Sequence, residues 1–147
     1  MKRILSVAFL LCLLLSSCAA EKDVSIIGGA DGPTAIIVGK EGESIMYEQI
    51  SGEKAKEIMD SGVEHIILDV REQDEFDAGH IPGAILIPYE SITEKAPEML
   101  PDKDALILVY CRSGRRSKIA SEALAFLGYT NVKEFGGIID WKYEIVQ

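Results

Sequence analysis

Short apolar runs alternate with helical patterns from residue 51 onward, and this alternation limits the possible folds more than any other feature of the sequence. Short, nearly uninterrupted apolar runs are typical of strands that are buried on both faces. They fall at residues 65–70, 84–87, 105–110 and 132–135, and the helical patterns at 51–61, 74–78, 92–99 and 117–127. The alternation predicts an α/β domain with a central parallel sheet and helices on both faces.

One cysteine falls where such a sheet binds ligands. Cys111 follows the apolar run 105–110, and a loop of small and basic residues separates it from the predicted helix. Ligands of open α/β sheets bind at the carboxyl ends of strands, and the free N–H groups of a helix's first turn favour anions. We therefore expect Cys111 to be a thiolate nucleophile for anionic substrates, with a buried, inert cysteine as the alternative. The candidate substrate-binding residues are Arg112, Ser113, Gly114, Arg115, Arg116 and Ser117.

The first 17 residues have the pattern of an export signal. A basic start precedes an apolar stretch at residues 4–15, which is shorter than the roughly 20 residues that a membrane-spanning helix needs. The following Leu15-Ser16-Ser17-Cys18 resembles the lipobox of bacterial lipoproteins. The resemblance implies cleavage before Cys18 and its lipidation, which would anchor the protein outside the cytoplasm, on the bacterial cell membrane. An ordinary signal peptide that contains a cysteine is the alternative.

The charge balance excludes one class of partner. The whole chain has a net charge of −9, and loss of Lys2 and Arg3 with the signal would leave 13 basic against 24 acidic residues, a net charge of −11. Such a chain does not bind nucleic acid or anionic lipid through its overall charge. The basic loop after Cys111 is a local exception, because charges beyond a Debye length of about 8 to 10 Å are largely screened.

Residues 18–45 form a segment between the signal and the main domain. Apolar flanks around a Gly/Asp/Pro turn at residues 24–38 predict a hairpin. Its centre, Gly28-Gly29-Ala30-Asp31-Gly32-Pro33-Thr34, resembles a motif of the β subunit of sodium-translocating decarboxylases. No apolar stretch of the mature chain is long enough to span a membrane, so we expect a plain hairpin, a stalk or a partner strand rather than sodium transport.

Several motifs, in order and at matching spacing over residues 46–147, resemble those of a single-domain rhodanese. They are Leu68-Asp69-Val70-Arg71, Glu75-Phe76, Gly79-His80-Ile81-Pro82-Gly83-Ala84, Cys111-Arg112-Ser113-Gly114-Arg115-Arg116-Ser117 and Gly136-Gly137. The resemblance implies a small α/β domain in which Cys111 cycles through a persulfide. A donor such as thiosulfate would supply sulfane sulfur, and a thiol or cyanide would remove it.

The chemistry of the loop agrees with this resemblance. The amides of residues 112–117 would stabilise the persulfide and the departing sulfite, because both carry negative charge. Arg112 and Arg115 are candidates to attract the donor. Arg116 is a candidate for the same role or for bracing the loop from within.

Other polar residues are expected to support the scaffold. Asp69 and Arg71 follow a strand near the same end of the sheet, where the resemblance makes them structural or substrate-contacting; we expect an ion pair that anchors the loop. The resemblance assigns His80 to a turn of the scaffold, and His65 precedes a strand. One thiol and two scattered histidines provide no ligand set for zinc or iron, so neither a metal nor another cofactor is expected.

Three functions other than thiosulfate sulfurtransferase are compared with the loop sequence. Cysteine phosphatases and arsenate reductases use CxxxxxR, with arginine six residues after the cysteine, whereas Ser117 holds that position here. A persulfide carrier or redox relay that serves an unidentified protein partner fits the same loop. An inactive binding domain is disfavoured by the intact cysteine and arginines.

Overall fold

The computed structural model describes residues 34–38 and 44–147. The strands are β1 (Thr34–Val38), β2 (Ser44–Gln49), β3 (Ile66–Asp69), β4 (Ala84–Leu86), β5 (Ile107–Cys111) and β6 (Val132–Gly137). The helices are α1 (Gly52–Asp60), α2 (Gln73–Ala78), α3 (Ile92–Met99) and α4 (Arg115–Phe126), with 3₁₀ turns at Tyr89–Ser91 and Ile138–Asp140.

The strands form one sheet in the order β1-β2-β6-β5-β3-β4. Five neighbouring strands, β2 to β4 in that order, are parallel, and β1 pairs with β2 in the antiparallel direction. The predicted α/β class with a central parallel sheet is confirmed. Because β5 lies between β6 and β3, the end of β5 is flanked by the ends of two other parallel strands.

Strand β5 divides the apolar core into two layers, because successive side chains of a strand point to opposite faces. Val109 and Cys111 pack with α3 and α4, whereas Leu108 and Tyr110 pack with α1 and the aromatic residues near the C-terminus. Helices therefore cover both faces, as predicted. The alternation also fixes the direction of Cys111, whose side chain lies on the α4 side of the sheet.

The predicted elements of the main domain are present with shifted ends. Ser51 caps α1 as expected, since its hydroxyl accepts a hydrogen bond of 3.1 Å from the Lys54 amide. Helix α4 begins at Arg115, two residues earlier than predicted, because Gly114 adopts a positive φ of 94° and serves as its N-cap. Cys111 is the last residue of β5 rather than part of the turn, since it pairs with Gly137 of β6.

Strand β2 is absent from the sequence prediction. Of its described side chains only Tyr47 is buried, so the strand lacks a strong hydrophobic pattern. Thr34–Val38, the second arm of the predicted hairpin, is a strand and pairs with β2. The first arm, the export signal, Cys18 and residues 28–33 of the decarboxylase-like motif lie outside the described residues. Among the described helices, none is long and apolar enough to cross a membrane.

Candidate active site

Cys111 lies at the carboxyl edge of the sheet, directly before the loop that leads into α4. The residue is 1% exposed, so its immediate surroundings control its chemistry. The Gly114 amide donates a hydrogen bond of 3.1 Å to Cys111 Sγ, and the Ser117 hydroxyl oxygen lies 3.5 Å from the same sulfur. Loop and helix thus fold around the thiol as the sequence predicts.

Two glycines permit this tight loop. At Gly114 the positive φ of 94° turns the chain into α4 while its N–H points at the sulfur. At Gly137 a Cβ would overlap the backbone of Arg112 and Ser113, so only glycine allows β6 to approach the loop. The Ile139 amide then donates to the Arg112 carbonyl over 3.2 Å and ties the loop to the chain after β6.

The hydrogen bonds at Cys111 favour its thiolate. Burial raises the pKa of the thiol, because it removes the charged form from water. The Ser117 hydroxyl and the amides of Ser117, Ser113 and Gly114 outweigh this effect, so the pKa of Cys111 lies below its ordinary value. A thiolate of lowered pKa among N–H donors is a nucleophile suited to substrates that carry negative charge.

The arginines of the loop divide into two groups. Arg112 and Arg115 are exposed, as a role in attracting an anion requires. Arg116 instead donates two hydrogen bonds, of 2.6 and 2.8 Å, to the carboxylate of Glu75 in α2. The structure thus places Arg116 in the bracing position, where it joins the start of α4 to α2. Substrate binding by the loop residues stays a prediction.

Asp69 and Arg71 form a buried ion pair. Asp69 is 0% exposed, and Arg71 Nε and Nη2 donate to its carboxylate over 2.6 to 3.0 Å. Arg71 Nη2 also donates to the Gly79 carbonyl over 2.7 Å. The pair therefore joins the end of β3 to the turn between α2 and β4.

The structure adds a polar residue that sequence reasoning missed. Glu134 of β6 is 3% exposed, and its carboxylate accepts a 2.6 Å hydrogen bond from the Ser117 hydroxyl. A sequence signal exists, because Glu134 lies two residues after Val132 and therefore on the same face of the strand. Val132 belongs to the core layer that contains Cys111. The alternation of side chains along a strand therefore predicts that Glu134 points toward the site.

The histidines belong to the scaffold. His80 stacks on Phe76 with ring centroids 3.7 Å apart, and its Nδ1 lies 3.0 Å from the Phe76 carbonyl oxygen. His65 is bound within its own loop, with Nδ1 2.6 Å from the Val63 carbonyl oxygen. Within residues 34–38 and 44–147, no group of three or more histidine, cysteine, aspartate or glutamate side chains is arranged to hold a metal ion.

Comparisons with known proteins agree on one family. The model of the family described as "Rhodanese-like domain" matches residues 51–144. Thiosulfate sulfurtransferase PspE of Escherichia coli is 42% identical over 73 residues, which are 50% of this chain and 70% of that protein. The putative sulfur carrier protein YrkF of Bacillus subtilis is 36% identical over 94 residues. The match covers 63% of this chain and 50% of YrkF, so this chain spans only half of that relative's length.

A solved structure supports the same relationship. The structure titled "rhodanese with anions from E. coli" superposes with a TM-score of 0.54 at 36% sequence identity. The match covers 56% of this chain and 98% of the other. The shared region therefore contains nearly the whole of that smaller protein.

Proposed function

Since the chain belongs to the rhodanese-like domain family, we propose that it is a sulfurtransferase that works through a persulfide on Cys111. The donor is thiosulfate or a related sulfane-sulfur anion, and the acceptor is a thiol or cyanide. The observation that carries the proposal is the buried Cys111 thiol, whose pKa is lowered by the hydroxyl and amide donors of its own loop. Similarity to a thiosulfate sulfurtransferase supports the choice of donor.

The reaction consists of two displacements at sulfur. The Cys111 thiolate attacks the outer sulfur of thiosulfate, a new S–S bond forms, and the bond to the sulfonate sulfur breaks so that sulfite leaves with its electron pair. A thiolate or cyanide then attacks the outer sulfur of the persulfide and regenerates the Cys111 thiolate. The Gly114 amide, 3.1 Å from Sγ, stabilises negative charge on Cys111 in both steps.

Arg112 and Arg115 recruit the anionic donor from solvent, because both side chains are exposed beside the thiol. Replacing either with alanine is expected to raise the KM for thiosulfate about three- to tenfold with little change in kcat, the effect of about 1 kcal/mol of binding. Lys95→Ala is the control, because it removes an exposed positive charge that lies on α3 and is not part of the loop. Equal kinetics in the arginine and control variants would refute this role.

The main experiment combines loading with turnover. The purified chain is incubated with thiosulfate, its intact mass is measured, and thiocyanate is followed after addition of cyanide. One added sulfur with repeated turnover is expected, and Cys111→Ser is expected to remove both signals because it removes the nucleophile. Thiocyanate formation by Cys111→Ser that matches the unchanged chain would refute the mechanism.

A second candidate is a persulfide carrier or redox relay for a partner protein. It is favoured by the similarity to a putative sulfur carrier protein. The same experiment separates the two functions, because a carrier takes up one sulfur and holds it, with slow release to cyanide. A sulfurtransferase for small molecules releases it in every cycle.

We also propose that Cys18 carries a lipid that anchors the protein outside the cytoplasm on the bacterial cell membrane. The basic start, the apolar stretch at residues 4–15 and the lipobox-like sequence before Cys18 support this location. Metabolic labelling with a fatty acid is expected to label the unchanged chain and not Cys18→Ser. Equal labelling of both chains, or of neither, would refute the anchor.

A further inference from the structure

Arg116 is a loop arginine whose charge is cancelled by the protein itself. It directly precedes Ser117, whose hydroxyl oxygen lies 3.5 Å from Cys111 Sγ, and it interacts electrostatically with the thiol. Its Nη1 and Nη2 atoms donate to the two carboxylate oxygens of Glu75 over 2.6 and 2.8 Å. This is the bidentate arrangement in which a guanidinium also binds an oxyanion. The fork of Arg116 that would fit a substrate anion is therefore already filled.

Glu75 is held in place for this contact. It lies in the first turn of α2, where its Oε2 also accepts a 3.3 Å hydrogen bond from the backbone amide of Glu72. The Glu75 and Arg116 side chains are 24% and 17% exposed, so water and salt screen their attraction less than that of a fully exposed pair. Arg71 interacts electrostatically with the same carboxylate. Glu75 therefore remains a negative charge beside Arg116 when an anion enters the loop.

The pairing lowers the positive potential of the loop. Arg112 and Arg115 are exposed, so their charges are screened by solvent, and the charge of Arg116 is cancelled by Glu75. A donor with two negative charges gains about twice as much from a nearby cation as a donor with one. Cancelling the charge of Arg116 therefore weakens the binding of a dianion more than the binding of a monoanion.

We propose that Glu75 is a positioning residue that sets the charge of the sulfur donor. By cancelling the charge of Arg116, it lets the site use sulfane-sulfur donors that carry one negative charge, such as thiosulfonates, beside dianionic thiosulfate. The Cys111 thiolate takes the outer sulfur of a thiosulfonate, the S–S bond of the donor breaks, and a sulfinate leaves with its electron pair. This inference rests on the proposed function of Cys111, and it adds the class of donor.

The test compares two donors of similar size and different charge. Methanethiosulfonate has a methyl group where thiosulfate has a charged oxygen. The ratio of kcat/KM for thiosulfate to kcat/KM for methanethiosulfonate is measured with cyanide as the acceptor, and a change in the thiol that affects both donors equally cancels in this ratio. Glu75→Gln keeps the shape of the side chain and removes its charge, so the ratio is expected to rise about three- to tenfold, mainly through the KM for thiosulfate.

Two further variants show whether the effect acts through Arg116. Asp74→Asn is the matched control, because it removes the charge of an exposed carboxylate on the same helix, one residue from Glu75, and should leave the ratio unchanged. The double variant Glu75→Gln with Arg116→Gln removes both charges of the pair. Because the net charge beside the loop is then the same as in the unchanged chain, the ratio is expected to return to its original value.

A second measurement needs no transfer of sulfur. The full chain is alkylated with iodoacetamide at one fixed pH and increasing concentrations of inorganic sulfate, and peptide mass spectrometry follows Cys111 separately from Cys12 and Cys18. Sulfate carries two negative charges and cannot donate sulfane sulfur, so it reports binding alone. The sulfate concentration that halves the alkylation rate is expected to be about three- to tenfold lower in Glu75→Gln than in the unchanged chain.

Two results would overturn the inference. One is a donor ratio and a sulfate concentration in Glu75→Gln that match those of the unchanged chain. The other is a shift that persists in the double variant, because the effect would then not depend on Arg116. A chain in which the sulfate concentration shifts as expected, but in which neither donor transfers sulfur, would refute the proposed function alone.

Discussion

Two buried carboxylates lie at the carboxyl edge of the sheet, one on each side of the strand that ends in Cys111. Asp69 ends β3 and Glu134 lies in β6, and they are 0% and 3% exposed. Asp69 is held by the Arg71 guanidinium, whereas Glu134 is held by a hydroxyl and two amides. The two carboxylates are thus similarly buried, but only one of them has a cation that neutralises its charge.

The difference separates a carboxylate that is neutralised by its own cation from a carboxylate that is held by neutral donors alone. At Asp69 the two charges cancel, and Arg71 Nη2 also donates to the Gly79 carbonyl, 2.7 Å away in a loop. At Glu134 the charge is not cancelled, and the nearest donor is the serine next to the nucleophile. A carboxylate paired with its own arginine fixes the backbone around the pair, whereas a carboxylate held by neutral donors depends on the hydroxyl and amides that surround it.

The largest expected effect comes from breaking the paired side. Asp69→Asn leaves the Arg71 guanidinium buried without a counter-charge, so a loss of about 3 to 5 kcal/mol in the free energy of unfolding is expected. Chemical denaturation of the full chain measures it. Glu98→Gln, which changes an exposed carboxylate of α3, is the control and should leave stability unchanged. A loss below about 1 kcal/mol at Asp69 would contradict the assignment of this pair as the anchor.

Glu75 provides an intermediate case, because it is paired but less buried. The Glu75 and Arg116 side chains are 24% and 17% exposed. Glu75→Gln is expected to cost about 1 kcal/mol, since the ion pair is partly screened by water. Glu57→Gln, in an exposed pair with Lys54, is the matched control and should have no measurable effect.

The effect at Glu75 has a defined pH dependence. Hydrogen bonding to Arg116 lowers the pKa of Glu75 in the folded chain. Its contribution is therefore fully present above the unfolded pKa of about 4.3 and is lost as pH falls through the lower folded value. The difference between Glu75→Gln and the unchanged chain should vanish at low pH, which denaturation at several pH values would measure. A difference that persists in strong acid would mean that Glu75 acts through packing.

The sequence predicts the fold well because buried parallel strands leave a strong pattern. The run Ile107–Tyr110 is apolar on both faces, and Gly128 directly follows the end of the predicted helix at 117–127. Strand β2 was not predicted, because its described residues include one buried side chain and its place depends on pairing with β6 across more than 80 residues of sequence. Tertiary contacts, not local pattern, determine that strand.

The site is predictable only where the motif itself contains the chemistry. Cys111 and its loop are recognisable because nucleophile, glycine and arginines are neighbours in sequence. The partners of Arg116 and Ser117 are not, since Glu75 and Glu134 come from distant elements, 41 and 17 residues away. The loop sequence shows which side chains could bind a substrate. Only the fold shows which of them already donate hydrogen bonds to a carboxylate of the protein.

The smallest expected effect, at Glu134, sharpens the comparison most. Glu134→Gln removes an uncompensated buried charge, while the new amide oxygen can still accept from Gly136 and Ser117, and Gln49 can turn its own amide to accept from the new NH₂ group. Weaker hydrogen bonds and relief of the charge offset each other, so the free energy of unfolding should change by less than about 1 kcal/mol. Denaturation beside Asp69→Asn provides the direct contrast. A loss of about 3 kcal/mol or more at Glu134 would show that both carboxylates stabilise the fold to the same degree, and the distinction between a carboxylate paired with arginine and one held by neutral donors would fail.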